Sequence, residues 1–144
     1  AVYDPALADA VREFYVAEFW NKVHGDELPG KIAVAAFDCG VNSGPERAAR
    51  LLQIALGGLA VDGDIGARPI KAAFDAGEDG VVRFLAARAK FLHEIMDNDP
   101  TQKVWALNWF KRMFRLANVV LEGEGPNFAE ATKEGTCQCL TRPN

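Results

Sequence analysis

Histidine and cysteine are scarce, with two and three copies in 144 residues. With so few histidines, neither in a recognisable motif, no Ser-His-Asp or Cys-His nucleophile set stands out. An odd thiol count cannot close into intramolecular bridges, and Cys137 and Cys139, separated by one residue, have little room for a mutual disulfide, so reduced thiols are expected. A zinc site drawn from Cys137, Cys139 and His24 or His93 is disfavoured because the paired C-x-x-C spacing is missing, so no metal and no cofactor is expected. Positive charge is not in excess either: the net charge of -4 argues against a general nucleic-acid binder, which needs cations to displace counterions from phosphate. No apolar run reaches the length of a membrane span, and the first residues carry neither a basic leader nor a cleavable apolar stretch, so no membrane association is expected. The glycines form no phosphate-cradling fingerprint, and no segment alternates apolar and polar residues over strand length.

What is present is helical periodicity on a hydrophobic share of 49%, enough apolar surface for one real core. Asp4-Pro5 reads as an N-cap and first-turn proline, opening a helix to about Lys22 through Leu7, Val11, Phe14 and Tyr15. The run from Lys31 to Val41, with Ile32, Ala33, Ala36 and Phe37 on one side, suits a buried central helix. Ser43-Gly44-Pro45-Glu46 fits a capping box for the next helix, whose apolar face is Ala48, Leu51, Leu52, Ala55 and Leu56. Val61-Asp62-Gly63-Asp64-Ile65-Gly66 reads as a tight loop pinned to the core by Val61 and Ile65. A short helix from about Pro69 to Ala76 follows, then a long one with Val82, Leu85, Ala89, Leu92 and Met96 as its stripe. After Asp99-Pro100, a last helix with Trp105, Trp109, Met113, Leu116 and Val120 is expected at the centre of the core. The fold class is therefore all-α with about six helices over residues 1–122 and an irregular tail over 123–144.

Few residues stand out chemically. Cleavage of a glycosidic bond needs a carboxyl group held protonated in an apolar cleft, and Glu13, Glu18, Glu27 and Asp38 are the candidates in the front half. Glu13 and Glu18 fit an exposed helix face. Asp38 lies in an apolar run four residues before Asn42, so the two can share one helix face at a cleft; a buried structural acceptor is the equal alternative. Asp62 and Asp64 fit turn chemistry better than calcium binding, because the calcium loop's ligand ladder is missing. Tyr15, Trp20 and Trp109 are candidate platforms for a sugar ring. Lys103, Lys111, Arg112 and Arg115 make the last helix basic, and solvated charges beside an apolar stripe are preferred to an anion site.

Several runs match one family in order and spacing. They are Phe19-Trp20 with Gly25-Asp26-Glu27-Leu28-Pro29, Phe37-Asp38 with Val41-Asn42-Ser43-Gly44-Pro45, Arg47-Ala48-Ala49, Leu51-Leu52-Gln53, and Val61-Asp62-Gly63 with Ile65-Gly66. Arg88 to Phe91 and Asn108-Trp109-Phe110-Lys111-Arg112 continue the match, with Asn108 where a glycine is more usual. From about Ala8 to Leu116 the chain resembles glycoside hydrolase family 108, phage-type lysozymes with a type 3 peptidoglycan-binding region. The resemblance implies a lysozyme-like helical fold and bacterial peptidoglycan as partner. It also implies an N-acetylmuramidase reaction at the cell wall, in an endolysin or a virion-associated enzyme. The family's acid belongs to a Glu-Gly-Gly segment ahead of everything matched here. Glu122-Gly123-Glu124-Gly125 lacks that segment's continuation, so no catalytic residue is assigned. Asp38, Asn42, Tyr15, Trp20 and Trp109 are the expected substrate-binding residues. Three readings stay open: a portion of an endolysin whose catalytic segment lies elsewhere, a wall-binding module without the acid, and a structural component that assembles with other virion proteins.

Overall fold

The computed structural model describes residues 4–122, whose regular structure is all helical, with no strand among them. The expected tail, with Cys137 and Cys139, lies outside the described residues. Helix α1 spans Pro5–Tyr15 and begins as the sequence implies, with Asp4 Oδ1 accepting from the Ala6 and Leu7 N–H groups. It then runs unbroken into a π-helical turn, Val16–Trp20, and a 3-10 turn, Asn21–Val23, so the one predicted helix changes its winding after Tyr15. His24 stops it in a left-handed conformation, φ 55°, and the Gly25 N–H donates to the Trp20 carbonyl.

Helix α2 (Gly30–Ser43) is central, with Ile32, Ala33 and Ala36 fully buried. Its small residues let α3 (Pro45–Leu56) and α4 (Ala67–Asn98) pack closely on it and on each other. Gly80 marks a close approach of α4 to α2: a Cβ there would sit 3.2 Å from the Ile32 side chain.

Four local expectations are corrected. The capping box does not form, because α2 continues through Ser43 and Gly44 makes the break itself at φ 90°. Pro45 opens α3, and Glu46 reaches forward to Arg50 at 3.0 Å instead of back to Ser43. Of the two residues expected to pin the loop after α3, Ile65 is buried and Val61 is 42% exposed. α4 kinks at Gly77, φ 56°, which divides a short arm from a long one as the sequence implies, but the covered face of the long arm is Val81, Phe84, Leu85, Arg88, Leu92 and Met96, with Val82 turned outward. A 3-10 segment (Pro100–Trp105), with Trp105 exposed, leads into α5 (Ala106–Glu122), which is peripheral: only Leu116 and Val120 are buried, while Leu107 and Phe114 are exposed. Aromatic density predicted a core helix there, but an apolar stripe is covered only where a neighbour packs on it, and α5 meets α2 and α4 along one side.

The loop is pinned by a polar residue. Gln53, 1% exposed on α3, donates from Nε2 to Asp62 Oδ1 (2.7 Å) and the Asp64 carbonyl (2.8 Å), and its Oε1 accepts from the Gly63 N–H (2.9 Å). The Asp64 N–H and the Gln53 amide together hold the Asp62 carboxyl below the usual range. Turn construction thus accounts for these acids, and no cluster able to hold a metal ion occurs among the described residues. Gln53→Leu keeps the volume and strands all three partners, so urea denaturation is expected to show a loss of about 1–3 kcal/mol. A loss under about 0.5 kcal/mol would mean that the loop holds without it.

Candidate functional site

Asp38 stands in the last turns of α2 with its carboxylate between two guanidinium groups. Oδ2 accepts from Arg88 Nη1 on α4 at 2.7 Å, and Arg112 on α5 approaches Oδ1 with Nη2 at 2.8 Å and Nε at 3.0 Å. This ion triad ties together three helices distant in sequence. Arg88 is 1% exposed, a burial that a guanidinium tolerates only when paired. Beside the triad, burial pushes the Cys39 thiol up to about 11, so this residue is a packing element and not a nucleophile.

The outer side of the triad borders a cleft of about 710 Å³ between α2 and α5. Asp38 and Asn42, one helical turn apart, form its α2 wall, and Trp109, Lys111, Arg112 and Arg115 lie on the α5 wall. Trp109 is half-buried and lines the cleft, which places on its wall an aromatic side chain of the type that stacks on sugar rings.

Three of the five sequence-derived site residues, Asp38, Asn42 and Trp109, therefore meet in one cleft. Tyr15 and Trp20 do not join them. Trp20 is 7% exposed; its Nε1 donates to Asp26 Oδ1 at 2.9 Å and its ring packs on Phe37, so it serves the core and offers no face to a sugar. Tyr15 is exposed but sits among Phe14, Phe19 and Phe37, away from the cleft lining.

The residue that sequence reasoning missed is Arg88. A signal existed: Val81, Phe84, Leu85, Arg88 and Leu92 share one α4 face, and a lone cation on an otherwise covered stripe implies a buried counter-ion. Asp38 could not be picked as that counter-ion, because fifty residues separate them.

Chemically, the cleft can bind, but the one carboxylate among its described lining residues is engaged as an acceptor by both guanidinium groups, which suits an anchor. Glu13, Glu18 and Glu27 are solvent-exposed, and the last two pair with Lys22 and His24. None of these carboxyls has the apolar enclosure that a glycosidase acid needs.

Comparison with known proteins gives two family matches. Residues 4–44 match Glycosyl hydrolase 108, and residues 47–114 match a Predicted Peptidoglycan domain. The boundary coincides with the Gly44-Pro45 break between α2 and α3, so the cleft has one wall in each matched segment and both segments feed one core. Among solved structures, the chain is similar to Brucella abortus SagA, at 30% identity over 79% of this chain with a TM-score of 0.70. The chain spans 63% of the length of that structure. No curated protein sequence matches it.

Proposed function

We propose that the α2–α5 cleft binds the glycan of bacterial peptidoglycan, a reading supported by the match of residues 4–44 to Glycosyl hydrolase 108 and of residues 47–114 to a Predicted Peptidoglycan domain. In this reading residues 4–122 are the wall-binding portion of a lytic muramidase, of the endolysin or virion-associated kind, and bind without cleaving. The observation that carries it is the half-buried Trp109 ring on a cleft large enough for a saccharide, opposite the Asn42 amide. A pyranose has a flat apolar face for such a ring and hydroxyl groups for such an amide.

Peptidoglycan binding also gives the ion triad a purpose. It holds the α5 wall against the α2 wall through Arg112, so that the cleft keeps its width when empty.

The test is co-sedimentation with purified sacculi, run beside a turbidity assay on the same chain. Wild type is expected to pellet with sacculi and to leave the turbidity unchanged, while Trp109→Ala, a substitution at a partly exposed site, is expected to lose about tenfold in affinity. Clearing of the suspension by this chain would overturn the non-cleaving assignment, and retention unchanged in Trp109→Ala would overturn the site. A second reading, assembly with a protein partner, draws on the exposed apolar residues Trp105, Leu107 and Phe114. Failure to pellet, together with concentration-dependent self-association in light scattering, would favour it.

A further inference from the structure

Charged side chains on these helices follow a pattern that the cleft breaks. Lys22, Arg50, Lys71, Arg83 and Lys90 each face a carboxylate one turn away, at 2.6 Å, 3.0 Å, 2.6 Å, 2.9 Å and 3.8 Å. Such pairs steady a helix, and like charges at the same spacing destabilise it by a similar amount. Lys111 and Arg115 are a like-charged pair at that spacing, both on the cleft wall of α5. Neither makes a hydrogen bond or ion pair with any described residue. The carboxylate that lines the same cleft, Asp38, is already engaged by Arg88 and Arg112. In a chain of net charge -4 the cleft thus keeps two cations with no counter-charge of their own among the described residues.

Resting on the peptidoglycan reading above, we propose that Lys111 and Arg115 form an anion subsite for the free carboxylates of the stem peptide, beside a neutral sugar subsite on Trp109. The sequence alone favours solvated charges at these positions; their position on one cleft wall beside the aromatic platform is what assigns them a ligand. The chemistry of the two parts is complementary. A muramyl sugar carries its peptide on a lactyl ether, and the first free carboxylate belongs to that peptide's second residue, so a ring stacked on Trp109 sends carboxylates outward along the cleft that Lys111 and Arg115 line. The Arg115 guanidinium offers a fork matched to a carboxylate, and the Lys111 ammonium a second donor, giving charge-assisted hydrogen bonds that relieve the repulsion between the two cations. Specificity for charged over amidated stem peptides follows, because an amide leaves those cations unneutralised.

The test is isothermal titration of the full chain with four probes: a disaccharide muropeptide with free carboxylates, the same muropeptide amidated, chitotetraose, and a glycerol-phosphate oligomer. Wild type is expected to bind the free-carboxylate muropeptide about tenfold more tightly than the amidated one. K111Q/R115Q is expected to abolish that preference and to keep chitotetraose affinity, which also shows that the variant is folded. Equal affinity for the two muropeptides in wild type, or a preference that survives in K111Q/R115Q, would overturn the subsite while leaving sacculus binding through Trp109 intact. Tighter binding of the glycerol-phosphate oligomer than of either muropeptide would overturn it in favour of a wall phosphate polymer. Absence of binding to sacculi and to every sugar probe would overturn the function reading, and this subsite with it.

Discussion

Asp38→Ala is expected to cost about 3–5 kcal/mol in urea denaturation, a large part of the roughly 5–15 kcal/mol that holds a domain of this size together. The loss comes from Arg88. Its side chain is 1% exposed, its Nη1 donates to Asp38 Oδ2, and its Nε has no partner among the described residues. Removing the carboxylate therefore strands a guanidinium ion that water cannot reach. Arg112 is 41% exposed and can turn to solvent, so it contributes little to that cost. The double variant D38L/R88M replaces the Asp38–Arg88 pair with apolar groups and is expected to recover most of the loss, because no unpaired charge is then left in the core. If the single and double variants were equally unstable, the stranded charge would not be the cause. A cost below about 1 kcal/mol for Asp38→Ala would show the triad to be dispensable. Loss of peptidoglycan retention in Asp38 variants is then expected to follow unfolding or loosening of α5, and not loss of a chemical step.

Trp20→Ala is the second large effect, about 3–5 kcal/mol by thermal or urea denaturation, as for other buried aromatic truncations. The indole packs with its ring on Phe37 and reaches Asp26 through Nε1, and it lies over Gly25, where a Cβ would come within 2.2–2.6 Å of its ring carbons. Those contacts fix the junction between the π-helical turn and α2, so the variant loses packing and the geometry of the chain reversal together. Gly25→Ala probes the same contact from the other side: the Gly25 N–H donates to the Trp20 carbonyl, so the backbone cannot back away, and a cost of about 1–3 kcal/mol is expected from overpacking. A stable Gly25→Ala protein would mean that the indole can move aside. The result separates two roles for Trp20, since a sugar platform would lose retention on sacculi with little change in stability, whereas a core residue loses stability first.

Legibility of the fold from sequence depended on how local each cause is. Asp4 and Pro5 start α1 where their chemistry requires, and Ile32, Ala33 and Ala36 share the buried side that their spacing implies. Ser43 shows the limit of local rules. The four residues from Ser43 to Glu46 satisfy a capping-box pattern, yet Gly44 allows a direct break at φ 90° and the continuing α2 takes Ser43 for itself. The cleft was legible in part for the same reason. Asp38 and Asn42 share a face because they are one turn apart, but that Trp109 lies opposite them depends on how α5 crosses α2.

By itself, then, the sequence determined the all-α class, most helix boundaries, the kinship with peptidoglycan-associated glycosyl hydrolases and the pairing of Asp38 with Asn42. Tertiary structure alone decided that Trp20 is core, that Trp109 is a cleft residue, that α5 is peripheral, and that Asp38 answers to Arg88 and Arg112. The physical reason is that helical periodicity reports which side chains share a face and says nothing of what covers that face. Ion pairs spanning 50 and 74 residues of chain leave no mark at short range; they exist only once three helices have packed.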